Sequence, residues 1–231
     1  SLIQSNMARV QQSLRAIEEF AKTSDPDIAK ATEQLRYRAY TIEKAVMTTV
    51  LSLKNLGHAK LYVLVNALGD GTDGFRAMRN HVSQLIEAGV DLIQLRDKEL
   101  SDRQSVAAGK VLTEMTRGQT MQWIMNDRAD IALAADADGV HLGQDDVTVA
   151  QARRVLGSAK IIGVSTHSID QARTAVIDGA NYIGVGPVFA SKTKAFKAHV
   201  GTELVKAVVD EIRLPAFAIG GIQADRLSEL L

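Results

Sequence analysis

Seven short apolar segments alternate with amphipathic helical segments after residue 57, and this alternation predicts an α/β fold of the TIM (β/α)8 barrel type. The segments are continuously apolar, as expected for parallel strands that are covered on both faces. They follow one another at roughly the 20 to 30 residue spacing of a repeated βα unit. A doubly wound open sheet is the competing architecture. The barrel is favoured because no pattern marks a reversal of strand order.

The predicted strands cover residues 61–65, 91–95, 122–125, 138–142, 160–165, 181–186 and 216–220. Ser101, Thr148 and Ser168 lie where the caps of the following helices are expected. The eighth strand and helix of a complete barrel are absent from the given sequence. Either the barrel is open at this point or the sequence is cut short, and the first residue, Ser1 rather than Met, also suggests a processed fragment.

Residues 1–57 predict a helical hairpin in front of a barrel domain at residues 58–231, which is incomplete at its C-terminal end. Apolar residues recur at three- and four-residue intervals, as on one face of an amphipathic helix; they are Met7, Val10, Leu14, Ile17 and Ala21 in the first helix and Ile28, Ala31, Leu35, Ile42, Val46 and Val50 in the second. The stretch 24–26 (Ser-Asp-Pro) supplies a cap and a first-turn proline between them. Two helices bury too little surface to stand alone, so we expect them to dock on the barrel or on a second copy in a homodimer.

The charge balance and the lack of cysteine exclude several classes of function. Lys plus Arg and Asp plus Glu both number 27, which gives no reason to expect nucleic acid or an anionic membrane as a partner. Without cysteine the chain has no disulfide, thiolate nucleophile or thiolate-bound metal. There is neither a signal-peptide pattern nor an apolar run of the roughly 20 residues that span a bilayer. We therefore expect a cytoplasmic protein that acts on small molecules.

Polar residues collect where the predicted strands end, which is where βα barrels carry their catalytic groups. In strand order they are Gln94, Arg96, Asp97 and Lys98; Asn126 and Asp127; Gln144, Asp145 and Asp146; Ser165; Ser191, Lys192, Thr193 and Lys194; and Gly220 and Gly221. Each has an ordinary alternative as a solvated loop charge, a helix cap or a turn residue. His141 lies within a strand and is more typical of packing or of supporting another side chain than of binding a metal.

Taken together, these strand-end residues favour a site for Mg²⁺ and a diphosphate. Asp127 and Asp146, on neighbouring strand ends, suit a hard cation that also takes phosphate oxygens and water. Arg96, Lys98 and Lys194 add positive charge, and hydroxyls and glycine amides add neutral donors. We expect Asp146 to face the cation, whereas Asp145 is its solvated neighbour.

Six motifs, in this order and spacing, resemble the thiamine-phosphate synthase (thiamine phosphate pyrophosphorylase) family over about residues 60–231. They are QLRDK at 94–98, ND at 126–127, HLGQDD at 141–146, GVSTHS at 163–168, GVGPVFASKTK at 184–194 and AIGGI at 218–222. The resemblance implies a TIM-barrel transferase that requires Mg²⁺. Such an enzyme joins 4-amino-2-methyl-5-pyrimidinylmethyl diphosphate to thiazole phosphate and releases thiamine phosphate and diphosphate.

The resemblance also implies a role for each matching residue. The metal ligands are Asp127 and Asp146, and the catalytic residues are Arg96, Lys98 and Lys194. The substrate-binding residues are Gln94, Leu95, Arg96, Asp97, Lys98, Asn126, Ser165, Ser191, Lys192, Thr193, Lys194 and Gly221. Gln94, Arg96, Lys98 and Asn126 hold the pyrimidine diphosphate, and Ser165 and Lys194 contact the diphosphate. Ser191, Thr193 and Gly221 serve the thiazole phosphate.

The chain departs from the family pattern in three ways, and two rival functions stay open. Ser191 stands where the family often has Thr, the helical hairpin lies outside the minimal synthase, and the turn after strand eight that closes the thiazole-phosphate site is missing. One rival is a metal-independent barrel that isomerises a thiazole phosphate, which would not need Lys98, Asp127, Asp146 and Lys194 together. The other is a non-catalytic phosphate-binding barrel that acts as a scaffold, with the hairpin as its partner surface.

Overall fold

The chain begins with two antiparallel helices, as the sequence predicts. A computed structural model describes residues 2–67, 73, 75–189 and 200–230. Helix α1 covers Leu2–Ala21 and α2 covers Pro26–Leu56. Asp25 caps α2 because its side chain accepts hydrogen bonds from the amides of Asp27 and Ile28.

Seven parallel strands form one sheet in sequential order. They are β1 (Tyr62–Val65), β2 (Leu92–Leu95), β3 (Gln122–Asn126), β4 (Gly139–Leu142), β5 (Ile161–Thr166), β6 (Tyr182–Val185) and β7 (Ala216–Ala218). The rings of Tyr62 in β1 and Phe217 in β7 lie 5.2 Å apart between centroids, so the sheet curls until its first and last strands face each other. This confirms the predicted barrel. A doubly wound sheet is excluded because its strand order would reverse.

Helices follow six of the strands and cover the outside of the barrel. They are α3 (Arg76–Glu87), α4 (Asp102–Thr116), α5 (Ala129–Ala134), α6 (Val149–Leu156), α7 (Ile169–Asp178) and α8 (Gly201–Glu211), and a 3-10 helix covers Ala224–Glu229. The three predicted caps are confirmed, since the side chains of Ser101, Thr148 and Ser168 each accept a hydrogen bond from the backbone amide three residues on. No helix in the described ranges is long and apolar enough to cross a membrane.

Successive side chains of each strand point to opposite faces of the sheet and so belong to two different packed regions. One set, which includes Ile93, Trp123 and Ile183, lies in the large core between the strands and the outer helices. The other set points into the barrel, where it forms an apolar base and then a polar upper part. Strand ends therefore bring polar side chains to a common mouth.

The end of α2 seals the base of the barrel. Leu56 is 2% exposed and belongs to the cluster at the base; the other buried members are Leu92, Ile124, Ile161, Tyr182 and Phe217. Asn181 at the start of β6 donates a hydrogen bond to Ser52 of α2 at 3.1 Å. The hairpin thus docks on the barrel, one of the two arrangements expected from the sequence.

The predicted apolar stripe of the hairpin does not face the barrel. Val10, Ile17, Ile28, Leu35, Ile42 and Val50 are all exposed, each by more than 40%. Small residues such as Ala29, Ala39 and Ala45 are buried instead. The periodicity identified the helices correctly. Ala21 of the predicted stripe is buried, and packing of the exposed part of the stripe against a second copy stays a prediction.

Shortening Leu56 should unfold the barrel more easily. We expect Leu56→Ala to lower the free energy of unfolding by about 2–5 kcal/mol, since it leaves a cavity in the base cluster. Leu53→Ala is the matched control, because Leu53 lies one turn earlier in α2 and is 46% exposed. Urea unfolding followed by circular dichroism measures both. Equal effects of the two substitutions would show that α2 does not seal the barrel.

Candidate active site

Two carboxylates meet at the mouth of the barrel. Asp127 directly follows β3, and Asp146 lies four residues after β4. Their side chains are within hydrogen-bonding distance of each other. The structure therefore brings together two residues that the sequence places at neighbouring strand ends.

A strained turn brings Asp127 to this position. Its φ is 60°, in the left-handed region that non-glycine residues rarely adopt. The amide of Arg128 donates to the carbonyl of Asn126 at 2.7 Å, and the amide of Asp127 donates to the carbonyl of His141 at 2.8 Å. Such strain costs on the order of 1–3 kcal/mol and is concentrated at functional sites.

The loop that follows β4 holds the carboxylate of Asp146 in place. Its Oδ2 accepts a hydrogen bond from the amide of Gly143 at 2.6 Å. Gln144 in the same loop donates to the carbonyl of Ser165 at 2.6 Å and ties the loop to β5. Asp145 is exposed, as expected for a solvated neighbour.

The contact between the carboxylates is electrostatically unfavourable in the absence of a cation. Burial, followed by the hydrogen bond and charge of Asp146, raises the pKa of Asp127 to about 6. A hydrogen bond from Asn126 and the charge of Arg96 act in the opposite direction. A bound cation would relieve this repulsion.

The pair suits a cation that keeps non-protein ligands. The described residues contain no group of three or more His, Cys, Asp or Glu side chains that could hold a metal by themselves. Mg²⁺ is bound in proteins by one or two carboxylates together with substrate phosphates and water. Asp127 and Asp146 therefore fit Mg²⁺ in the presence of a phosphate ligand and do not form a closed structural metal site.

Two cations follow β2 at the same mouth. Arg96 is half-buried and close enough to Asp127 to influence its pKa, and Lys98 is exposed. Neither forms an ion pair within the part of the chain that the structure describes. Both are thus available to an anion.

Two other predicted residues of this segment have different surroundings. Leu95 is 2% exposed and its side chain lies in the core under the outer helices, so only its backbone faces the mouth. Asp97 accepts hydrogen bonds from the amides of Ala67 at 3.0 Å and Glu99 at 2.9 Å. Its carboxylate shapes the loop that carries Lys98.

A chain of five hydrogen-bonded side chains crosses the barrel interior between two predicted site residues. Gln94 Nε2 donates to the Tyr62 hydroxyl at 2.7 Å, and the hydroxyls of Tyr62 and Tyr182 are 2.8 Å apart. Tyr182 Oη lies 2.9 Å from His141 Nδ1, and His141 Nε2 lies 2.9 Å from Ser165 Oγ. We call Gln94, Tyr62, Tyr182, His141 and Ser165 the interior chain.

His141 supports Ser165, in line with the supporting role favoured by its place in a strand. Burial lowers the pKa of His141 to about 4, so its imidazole is neutral at pH 7. Sequence reasoning missed Tyr62 and Tyr182. Their position at the first residue of β1 and of β6 was the available signal, but nothing local shows that the two rings meet.

Two glycines make room for the rings of the interior chain. A Cβ at Gly163 would overlap the ring of Tyr182. A Cβ at Gly184 would lie 3.3 Å from Cε1 of His141. The small residues in β5 and β6 are therefore explained by the aromatic side chains beside them.

The remaining predicted residues belong to the last two strand ends. Gly221 follows β7 with a φ of 65°, next to Gly220 with a φ of 99°, so both positions require glycine. Ser191, Lys192, Thr193 and Lys194 lie outside the described residues.

These features define a class of protein: a parallel βα barrel whose strand ends carry two neighbouring carboxylates, two cationic side chains and neutral hydrogen-bond donors. Comparison with known proteins gives the family. The family model described as thiamine monophosphate synthase matches residues 62–231, and the chain belongs to this family. A second family model, described as the ThiD2 family, matches residues 1–45.

Several known proteins are similar to this chain. It is 42% identical to a thiamine-phosphate synthase of Rhodopirellula baltica over 96% of its own length, and 40% identical to one of Synechocystis sp. over 100%. The chain spans only 60% and 65% of these curated relatives. The structure of thiamine phosphate pyrophosphorylase from Pyrococcus furiosus superposes with a TM-score of 0.63 at 33% identity, over 74% of this chain and 79% of that one.

Removing the charge of Asp127 should stabilise the protein at neutral pH. A raised pKa contributes stability below about pH 4 that is lost as the pH rises through about 6. We therefore expect Asp127→Asn to raise the melting temperature relative to wild type at pH 7 without added metal, and to have little effect at pH 4. Asn is chosen because it tolerates positive φ.

Thermal unfolding at both pH values measures this effect, with Asp145→Asn as the matched control because Asp145 is the exposed neighbour of Asp146. The two variants should differ at pH 7. A melting temperature of Asp127→Asn at or below that of wild type at pH 7 would show that the carboxylates do not repel each other in the folded protein.

Proposed function

We propose that this chain supplies the barrel of a thiamine-phosphate synthase. The transferase joins 4-amino-2-methyl-5-pyrimidinylmethyl diphosphate to thiazole phosphate and gives thiamine phosphate and diphosphate. The single observation that carries the proposal is the contact between Asp127 and Asp146 beside Arg96, in a chain of this family. Such a group of charges is costly unless a metal-bound anion occupies it.

The proposed reaction needs no protein nucleophile and no proton transfer. The bond between the pyrimidine methylene carbon and the diphosphate oxygen breaks, and diphosphate leaves with the electron pair. The electron-rich aminopyrimidine stabilises the positive charge on the methylene carbon. The thiazole nitrogen then donates its lone pair to this carbon. Catalysis rests on positioning and on stabilising the charge of the leaving group.

The residues of the mouth divide this work. Arg96 binds phosphate oxygens as a planar fork and Lys98 as a point charge, and Lys194 is proposed to act with them. Mg²⁺, when bound by Asp127 and Asp146, would offset charge on the diphosphate oxygens. These contacts strengthen as the leaving group gains charge.

Neutral side chains are proposed to orient the two substrates. Gln94 and Asn126 hold the pyrimidine diphosphate, and Ser165 donates to the diphosphate. Ser191, Thr193 and Gly221 bind the thiazole phosphate, with Lys192 beside them. The part of Gly221 is supported by its place at the end of β7, where its positive φ favours glycine.

Neither rival function accounts for the carboxylate pair. A metal-independent isomerase has no use for two neighbouring carboxylates, and a phosphate-binding scaffold could use Arg96 and Lys98 but would be disfavoured by two acidic side chains at the same mouth. The similarity to named thiamine-phosphate synthases favours the transferase over both.

Three further expectations concern the setting of this barrel. We propose a division into a helical hairpin at 1–57 and a barrel at 58–231, with the hairpin as a permanent cover of the barrel base. Its support is the burial of Leu56 and the bond between Asn181 and Ser52. The homodimer and the cytoplasmic location stay predictions from the sequence.

Neutralising Asp127 should disable the enzyme although it stabilises the fold. We expect Asp127→Asn to lower kcat/KM by at least on the order of 100-fold at limiting Mg²⁺, the scale of one lost preorganised contact. Lys194→Gln should lower kcat/KM by a factor of the same order. Steady-state formation of thiamine phosphate by the full-length protein measures both, and Asp145→Asn should retain activity. Turnover by Asp127→Asn close to that of wild type would refute the metal role.

Binding of diphosphate should depend on Mg²⁺. We expect calorimetry to detect binding of inorganic diphosphate only when Mg²⁺ is present, because Asp127 and Asp146 would hold the metal and the metal would offset the charge of the anion. Arg96→Gln should weaken this binding. A scaffold would show no affinity that depends on the metal, so its absence in the wild-type protein would favour that rival.

A further inference from the structure

We propose that Tyr182 and His141 are positioning residues that orient the hydroxyl of Ser165, so that its hydrogen points towards the diphosphate. This inference rests on the proposed function, because it needs an anion at the mouth. It concerns two side chains at the base and in the middle of the barrel, for which the synthase chemistry alone requires no role.

The interior chain is continuous and enclosed. Its four hydrogen bonds measure between 2.7 and 2.9 Å. Tyr182 is fully buried, and Gln94 and His141 are 3% and 8% exposed. No buried side-chain nitrogen or oxygen of the described residues lacks a hydrogen-bond partner. Each polar group of the interior chain must therefore donate to or accept from its neighbours in that interior chain.

The side-chain amide of Gln94 sets the direction of hydrogen-bond donation at one end of the interior chain. Gln94 Nε2 can only donate, so the Tyr62 oxygen accepts and the single hydroxyl hydrogen of Tyr62 is left for Tyr182. The Tyr182 oxygen accepts this hydrogen, so its own hydrogen points to His141 Nδ1. Each hydrogen-bond donor in the interior chain thus determines which atom donates in the following hydrogen bond.

The imidazole of His141 continues the same direction of hydrogen-bond donation to Ser165 at the mouth of the barrel. A neutral imidazole has one donor and one acceptor nitrogen. Because Nδ1 of His141 accepts from Tyr182, its hydrogen lies on Nε2 and is donated to Ser165 Oγ. Ser165 is then an acceptor within the chain, and its hydroxyl hydrogen is free to point out of it.

The opposite direction would harm anion binding. It would require the Ser165 hydroxyl to donate to His141, which would leave only oxygen lone pairs towards the mouth. A diphosphate oxygen has no hydrogen to offer and would be repelled. A diphosphate-binding site therefore favours the direction that starts at Gln94.

Tyr182 and Ser165 should be coupled in a double-mutant cycle of diphosphate binding. We expect Tyr182→Phe to weaken binding of Mg²⁺ and inorganic diphosphate by about 10-fold, since hydrogen bonds to charged groups are worth roughly that much. In a Ser165→Ala background the same substitution should have no further effect. A merely structural role of Tyr182 would give independent effects in the two backgrounds.

Tyr62→Phe tests the link to Gln94. It removes the hydroxyl through which Gln94 sets the direction but keeps the bond between Tyr182 and His141. Diphosphate binding should weaken less in this variant than in Tyr182→Phe, because the Tyr182 hydroxyl can still donate to His141 although Tyr62 no longer holds it in that direction. Equal losses in Tyr62→Phe and Tyr182→Phe would overturn the assignment to Tyr182 and His141.

A spectroscopic measurement on the unsubstituted protein tests the direction by itself. Nitrogen-15 NMR of histidine-labelled protein, with the signals of His141 identified from a His141→Gln variant, should show the hydrogen on Nε2 and a bare Nδ1. A hydrogen on Nδ1 would overturn the inference. Failure of the proposed function differs from both results, because wild-type protein would then not bind Mg²⁺ and diphosphate at all.

Discussion

The carboxylates of Asp127 and Asp146 are neighbours at the rim of the barrel, close enough for Asp146 to raise the pKa of Asp127, and most of the proposed site follows from that proximity. A strained turn after β3 and a glycine loop after β4 hold them there. Two like charges at this separation are unfavourable, and the folded chain alone offers no third acidic or histidine ligand for a metal among its described residues. The proposed divalent cation, with its own phosphate and water ligands, would resolve this conflict.

The base of the barrel and its mouth are physically connected. Leu56 from the hairpin packs in the same cluster as Tyr182, and Tyr182 reaches Ser165 through His141. A helix outside the matched synthase domain thus packs in the same apolar cluster as Tyr182, a member of this polar path. This arrangement explains how an added N-terminal hairpin is part of the barrel rather than a loose appendage.

The sequence predicted the strands and the composition of the mouth because both depend on local pattern. Apolar runs mark buried parallel strands, and position at a strand end places Arg96, Asp127 and Asp146 together. Two features were not accessible in this way. The pairing of Tyr62 with Tyr182 joins residues 120 positions apart, and the exposed face of the hairpin depends on which helix surface fits the barrel.

The most direct measurement is a crystal structure with Mn²⁺ and diphosphate bound, in which anomalous scattering locates the metal. The proposed site predicts a metal bonded to one oxygen of Asp127 and one of Asp146 at about 2.1 Å, as for an octahedral Mg²⁺ site, with diphosphate against Arg96 and Lys98. A metal bound elsewhere, or diphosphate bound at this mouth with no metal between the two carboxylates, would contradict it.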